Sequence, residues 1–151
     1  MTTERIIRPH AETAFAEELE ALAQADDRPR PPGWRLAPWS VVTYLVGGKA
    51  GKRDIEPKYF GNRRLMEIAV ATLATDRALL LLGVPGTAKT WVSEHLAAAI
   101  SGDSTLLVQG TAGIGEEALR YGWNYARLIA EGPSEKALVP SPVLTAMREG
   151  K

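Results

Sequence analysis

The spacing of apolar residues along the first part of the chain predicts one amphipathic helix followed by an irregular segment. Residues 10–25 predict a short, peripheral helix. Its stripe consists of Ala14, Phe15, Glu18, Leu19 and Leu22. Residues 26–38 contain four prolines and several charges, which favours an extended linker or a strap over the surface. We therefore expect little regular structure between the first helix and residue 39.

Two more helices are predicted before residue 75. The apolar stretch 39–46 predicts a helix that begins after Pro38 and ends at the glycine pair 47–48. The polar stretch 49–58 predicts a solvated loop. Asn62 is a suitable N-cap for the next helix. The predicted buried face of that helix consists of Leu65, Ile68, Ala69, Thr72 and Leu73.

The most informative pattern is an apolar run that breaks into a glycine-rich turn at the start of a helix. Residues 78–82 predict a strand buried on both faces. The helix that follows is predicted by the spacing of Trp91, Val92, Leu96 and Ile100. The turn between them, residues 83–90, reads Gly-Val-Pro-Gly-Thr-Ala-Lys-Thr. A turn at this place points consecutive backbone N–H groups and the positive end of a helix dipole at one spot, which suits a polyphosphate.

Each residue type in the turn has a chemical reason to be there. Gly83 and Gly86 allow the backbone to approach phosphate closely, whereas Pro85 has no N–H and only shapes the turn. We expect Lys89 to reach the β and γ phosphates and the Thr90 hydroxyl to bind Mg²⁺. The candidate nucleotide-binding run is Gly83, Val84, Pro85, Gly86, Thr87, Ala88, Lys89, Thr90 and Trp91.

The turn departs from the strict phosphate-loop pattern G-x-x-x-x-G-K-S/T at one position. Ala88 stands where the pattern has its last glycine. We expect the backbone of Ala88 to be helical already, so that its methyl group is tolerated. An ordinary strand, turn and helix with a chance lysine is the alternative interpretation.

The alanine before the lysine in G-x-P-G-x-A-K-T resembles the MoxR branch of the AAA+ ATPases, and the resemblance covers residues 39–151. Phe60 and Gly61 match the hydrophobic-glycine pair that faces adenine in that family, although an aromatic residue there could equally belong to the core. The resemblance implies an α/β fold, with a P-loop NTPase parallel sheet in strand order 5-1-4-3-2 and flanking helices. Only strands 1 and 2, residues 78–82 and 105–108, would be present, so the sheet would be incomplete.

The same resemblance implies what the complete protein does. It would bind ATP with Mg²⁺, hydrolyse the ATP and use the energy to remodel or assemble protein clients. Its working state would be a homo-oligomeric ring, commonly a hexamer. The catalytic acidic residues would lie beyond Lys151, and Glu116, Glu117 and Glu131 are interpreted as surface residues.

The last part of the chain predicts connections and helices. The glycine-rich stretch 109–115, which includes Ile114, is either a segment that touches a substrate polypeptide, as the resemblance implies, or a flexible connection. Residues 116–130 predict a helix that carries three packing aromatics. A hairpin or loop is expected over 132–142, followed by a final helix from Pro142 to about Arg148.

Composition narrows the function classes. The 18 basic and 18 acidic residues give a net charge of zero, which disfavours nucleic acid as the main partner. The chain has no cysteine, hence no disulfide framework or thiolate metal site. No apolar run has the length of a membrane span and no signal pattern is seen, so we expect a cytoplasmic protein. His10 and His95 lack a second ligand at helical spacing and are expected at the surface.

The predicted organisation is an N-terminal helix and proline-rich linker over residues 1–38, followed by the N-terminal portion of an ATP-binding domain over residues 39–151. Without neighbouring strands, 78–82 would leave backbone groups unpaired, so these 151 residues are expected to fold poorly, to aggregate or to pair the two strands directly. Two other functions stay open. One is a nucleotide-binding or interaction module without hydrolysis, and the other is a small P-loop phosphotransferase.

Overall fold

The computed structural model describes residues 8–151, which divide into two compact units, residues up to Ser104 and Thr105–Lys151. The first seven residues of the predicted N-terminal segment lie outside the described part. The chain has a mixed α/β composition. Its helices and strands, in chain order, are α1 (Ala11–Ala14), α2 (Ala16–Ala25), α3 (Pro38–Val46), β1 (Gly48–Ala50), β2 (Arg53–Ile55), α4 (Arg63–Leu73), α5 (Lys89–Ile100), β3 (Tyr121–Trp123), α6 (Tyr125–Glu131), β4 (Leu138–Pro140) and α7 (Pro142–Glu149).

The predicted N-terminal helix is present, but it is broken and it is not peripheral. Phe15 has φ −117° and ψ 26° and separates α1 from α2. Leu19 and Leu22 are fully buried in the core of the first unit. The prediction of a peripheral helix was wrong because the core residues that cover this stripe come from later segments of the chain.

Helix α3 lies at the centre of the first unit and confirms its prediction. Pro38 occupies its first turn, and Gly47 ends it with φ 85°, a left-handed value that favours glycine. The helix packs against α2, α4 and α5. Tyr44 and Leu45 are completely buried. An apolar helix without a polar face is expected to be enclosed in this way.

The stretch predicted as a solvated loop, residues 49–58, is instead structured and partly buried. Strands β1 and β2 form an antiparallel hairpin in which Lys49 pairs with Asp54. Ala50 and Ile55 point into the core. Lys58 is also buried, because Glu18 of α2 neutralises its ammonium group.

Helix α4 confirms its predicted cap but buries a different face. The Asn62 side chain accepts a hydrogen bond from the Arg64 N–H at 2.9 Å. The buried residues are Met66, Ala69 and Val70. Leu65 and Ile68, which were predicted to be buried, are about half exposed because no sheet covers that side of the helix.

No parallel sheet is observed in the described residues, where the only sheets are the antiparallel pairs β1–β2 and β3–β4. Neither 78–82 nor 105–108 forms a strand, and the two are not paired with each other. Leu79 and Leu81 pack against the core, whereas Leu80 and Leu82 are 77% and 84% exposed. This alternation is that of an extended segment with one face covered.

The second unit differs from its prediction in the middle and agrees with it at the end. In place of one helix over 116–130, the chain forms a single 3₁₀ turn (Glu116–Ala118), strand β3 and helix α6. No hairpin forms within 132–142, which was predicted as a hairpin or loop. This stretch contains another 3₁₀ turn (Glu135–Ala137) and β4, and β4 pairs with β3, which precedes α6. Helix α7 begins as predicted, and the Ser141 hydroxyl accepts a hydrogen bond from the Leu144 N–H at 3.0 Å.

Candidate nucleotide-binding site

The glycine-rich turn forms a compact loop that leads into α5. The Lys89 ammonium group donates hydrogen bonds back across the loop to the carbonyl oxygens of Gly83 (3.0 Å) and Val84 (2.7 Å). It also lies 3.2 Å from the Thr87 hydroxyl, which itself donates to the Val84 carbonyl at 2.8 Å. The lysine thus closes the loop on itself, and its hydrogen bonds to neutral carbonyls are available for exchange with a stronger, anionic acceptor.

Two residues of the loop have left-handed backbone conformations. Gly86 has φ 82°, and Ala88, the residue before α5, has φ 56° and ψ 26°. The expectation that Ala88 is already in the right-handed helical region was therefore wrong. Ala88 occupies the position that holds glycine in the strict pattern, and the left-handed value explains why glycine suits that position. An alanine in this conformation costs about 1–2 kcal/mol.

The start of α5 offers hydrogen-bond donors that the protein does not use. Within the described residues, the backbone N–H groups of Ala88, Lys89 and Thr90 donate to no protein acceptor. Helical geometry supplies no partner for these groups, and the helix dipole places partial positive charge at the same end. Thr90 is exposed. The loop is therefore equipped to bind an anion.

The predicted base-binding pair, Phe60 and Gly61, lies in a segment that is fastened to α5. The Trp91 indole N–H donates to the Lys58 carbonyl at 2.8 Å. Phe60 is 86% exposed, so it does not belong to the core. A Cβ atom on Gly61 would lie 2.5 Å from the Tyr59 hydroxyl oxygen, so any side chain at 61 would force the Tyr59 ring to move.

Part of the predicted set lines one cavity of about 480 Å³, which has the size of a small-molecule site. The cavity brings Phe60 together with Thr87, Ala88 and Trp91. A second cavity of about 370 Å³ includes Thr87 and Lys89 and is lined mainly by apolar residues, five of which are leucines. The predicted residues that line neither cavity are Gly61, Gly83, Val84, Pro85, Gly86 and Thr90.

Several residues at these cavities are not evident from the sequence. Tyr59 lines both of them, and Pro57 and Lys58 line the larger one. The only signal for Tyr59 was its position next to Phe60. Lys58 gave no signal of its own, because charged residues in a polar stretch are usually solvated.

Several aromatic and imidazole rings pack together on the buried side of α5. His95 is completely buried, which corrects its expected surface position, whereas His10 is exposed as predicted. The His95 ring lies 4.3 Å from the Trp91 ring, centroid to centroid, and its Nδ1 is 2.8 Å from the Tyr44 hydroxyl oxygen. Burial lowers the pKa of His95 from its ordinary 6.5 to about 4. At neutral pH this ring is therefore uncharged.

Residues 8–151 contain neither a metal-binding cluster nor a membrane-spanning helix. No group of three or more His, Cys, Asp or Glu side chains in this part of the chain is placed to hold a metal ion. None of its helices combines the length and the apolar character that a bilayer crossing requires.

Comparison with known proteins gives one family match and one curated relative. The chain is 46% identical over 144 residues to the uncharacterized protein YehL of Escherichia coli (strain K12). The aligned part includes 95% of this chain but only 39% of that protein's length. No solved structure matches. Residues 78–151, which include the glycine-rich turn and α5, match the family of the AAA domain (dynein-related subfamily).

Proposed function

We propose that this chain is the nucleotide-binding part of a MoxR-like AAA+ ATPase and that it binds ATP and ADP through residues 83–91. The observation that carries the proposal is the set of unpartnered N–H groups at the start of α5, next to the Lys89 ammonium group. The match of residues 78–151 to an AAA domain supports the nucleotide as the anion. Members of such families generally use ATP.

Different residues of the loop are proposed to contact different parts of a triphosphate. The backbone N–H groups from Gly86 to Thr90 face the phosphates, and Pro85 holds the turn. Lys89 exchanges its carbonyl acceptors for β and γ phosphate oxygens, since a charge-assisted hydrogen bond is about twice as strong as a neutral one. Mg²⁺, when bound, would neutralise phosphate charge there. Thr90 is the one protein ligand proposed for it, with phosphate oxygens and waters as the others.

The base is proposed to lie against the segment that contains Phe60 and Gly61. The exposed Phe60 ring offers a flat apolar surface, and Trp91 lines the same cavity. Aromatic rings of this kind bind a nucleobase by stacking. Because Gly61 has no side chain, the Tyr59 ring can lie against the backbone at position 61.

Hydrolysis and partner remodelling are proposed for the complete protein. The chain spans 39% of the length of its curated relative, and we expect the acidic residues that bind metal and activate water to lie outside these 151 residues. The arginine that stabilises the transition state would come from a neighbouring subunit of a homo-oligomeric ring. Protein clients are the proposed substrates of that ring.

The decisive experiment is substitution of Lys89 to Ala in the full chain. We expect at least a hundredfold loss of ATP affinity, because a charge-assisted hydrogen bond to phosphate contributes about 1.5–3 kcal/mol and Lys89 makes more than one. Titration calorimetry with ATP and Mg²⁺ measures the loss. With the parent chain, ATP at 100 times its Kd should raise the free energy of unfolding by about 2.7 kcal/mol.

Lys52→Ala is the matched control, since Lys52 is exposed on the β1–β2 turn. Lys58 is unsuitable as a control because it is buried and paired. Equal losses of affinity for Lys89→Ala and Lys52→Ala would overturn the proposed site. ATP binding by the complete protein without phosphate release would favour a nucleotide-binding module over an ATPase.

A further inference from the structure

Lys58 is a buried lysine held on several sides. Its side chain is only 2% exposed, and its ammonium group forms an ion pair with Glu18 of α2. The same group donates to the Glu56 carbonyl at 2.6 Å. It also lies 4.6 Å from the centre of the Phe15 ring and 4.9 Å from that of Tyr44. A cation between two aromatic rings is stabilised by their electron-rich faces.

The backbone of Lys58 is fixed as firmly as its side chain. The N–H groups of Lys58 and Tyr59 both donate to the Leu45 carbonyl of α3, each at 2.8 Å. The Lys58 carbonyl accepts the hydrogen bond from Trp91 of α5. Residue 58 therefore connects α2, α3 and α5. The exposed Phe60 follows two positions later.

A need for stability alone does not explain a lysine at this position. Taking an ammonium group and a carboxylate out of water costs several kcal/mol per ion, and apolar residues of similar volume often serve stability as well or better. A paired and hydrogen-bonded charge does, however, fix one geometry, because any other arrangement leaves it unpaired. The segment that benefits from this fixed geometry is the proposed base wall, residues 59–61.

We propose that Lys58 is a positioning residue for the base-binding wall of the nucleotide site. Through its pair with Glu18 and its carbonyl bond to Trp91, it holds Tyr59, Phe60 and Gly61 at a set distance from the phosphate-binding loop. The role rests on the proposed function. If Lys58 has this role, helix α2 also supports the nucleotide site through Glu18. Helix α2 lies outside the residues that match the AAA domain.

The test compares two ligands that share phosphates and differ in the base. ATP needs both the loop and the base wall, whereas inorganic tripolyphosphate needs only the loop. In the full chain, the double variant Glu18→Gln, Lys58→Met removes both charges and leaves neither one buried alone. We expect its Kd for ATP to rise about tenfold and its Kd for tripolyphosphate to change less than about twofold, since 1.4 kcal/mol corresponds to a factor of ten.

A milder variant keeps the test valid if the double variant does not fold. Glu18→Asp keeps the carboxylate charge and shortens the side chain by one methylene, so the ion pair with Lys58 is loosened but not removed. We expect this variant to weaken ATP binding about threefold without affecting tripolyphosphate. Lys52→Met is the control for a lysine that is exposed, and it should change neither Kd. Circular dichroism and a thermal melt confirm that each variant is folded.

The outcomes separate this role from the proposed function. Unchanged ATP affinity in folded variants, or an equal loss for ATP and tripolyphosphate, would overturn the positioning role while leaving the site intact. If the parent chain bound neither ligand, the nucleotide site itself would fail, and the role of Lys58 with it. A loss confined to ATP would establish the role.

Discussion

The two ends of helix α5 differ sharply, although they belong to one continuous helix of 12 residues. Its later turns are enclosed, since Leu96, Ala98 and Ala99 are almost fully buried. At its first end Thr90 is exposed, the helix follows a left-handed alanine, and its first N–H groups have no protein acceptor among the described residues. The first end is therefore suited to binding a ligand, and the second end is suited to packing in the core. The helix is stable and well packed at the end that belongs to the core. It has a strained backbone and unpartnered N–H groups at the end that is proposed to bind the ligand.

The enclosed end is held by segments from the N-terminal side of the chain. Glu94 of α5 accepts a hydrogen bond from the Ala11 N–H at 3.1 Å and forms an ion pair with Arg8. Glu12 accepts from the Ser104 hydroxyl at 2.7 Å, just after the helix ends. These contacts fix the helix axis, so the strained loop does not have to supply that order itself.

The largest effect that separates the two ends is expected from Leu96→Ala. Truncation of a buried leucine removes apolar contacts and leaves a cavity, which costs about 2–5 kcal/mol. Urea denaturation of the full chain gives the change in the free energy of unfolding. The matched variant is Leu82→Ala, just before the loop, where the side chain is exposed and the expected cost is below about 0.5 kcal/mol. Similar costs for both leucines would contradict the difference in burial.

Acid should destabilise the enclosed end through His95. Its pKa is about 4 in the folded chain and 6.5 without the fold, so the unfolded state binds the proton more tightly. The contribution is complete above pH 6.5 and falls by about 3 kcal/mol as the pH drops toward 4. Burial is the main cause; Lys58 and Arg8 lower the pKa further, and Glu94 and Glu12 oppose them. Denaturation at several pH values measures the slope.

His95→Asn is the variant that isolates this slope. The asparagine amide offers the Tyr44 hydroxyl both a donor and an acceptor, so it can replace Nδ1 in either role, but the side chain does not titrate. Stability should then be nearly constant between pH 6.5 and 4.5. His10→Asn, at an exposed position, should leave the slope in place. Asp26 contributes little in this range, because the pKa of its carboxyl is 3.8 without the fold and about 2 beside Arg28, so its contribution is lost only at lower pH.

Features set by neighbouring residues could be predicted from the sequence. Pro38 and Gly47 bound α3 as expected, and Asn62 and Ser141 cap their helices through bonds that span two or three positions. The loop and the helix after it were also found, since the spacing of Gly83 and Lys89 carries its own chemistry. In each case the residues that determine the feature lie close to it in the sequence.

Features set by distant residues could not be predicted. The burial of Lys58 depends on Glu18, 40 positions earlier, and that of His95 depends on Tyr44, 51 positions earlier. Residues 78–82 have the composition of a strand, but a strand needs hydrogen bonds from a second segment, and no described segment provides them. Composition alone does not say where such partners are.

The smallest effect tests the exposed end directly, through Ala88→Gly. Glycine relieves about 1–2 kcal/mol of left-handed strain in the folded chain, and the greater freedom of the unfolded chain offsets about 0.4–1 kcal/mol of this gain. The variant should therefore be neutral or more stable by up to about 1.6 kcal/mol. Ala97→Gly, in the right-handed part of the same helix, should instead cost about 1 kcal/mol. Thermal melts of the two variants compare them. An equal loss at both positions would mean that Ala88 is not strained, and the contrast between the two ends of α5 would then rest on exposure and on the unpartnered N–H groups.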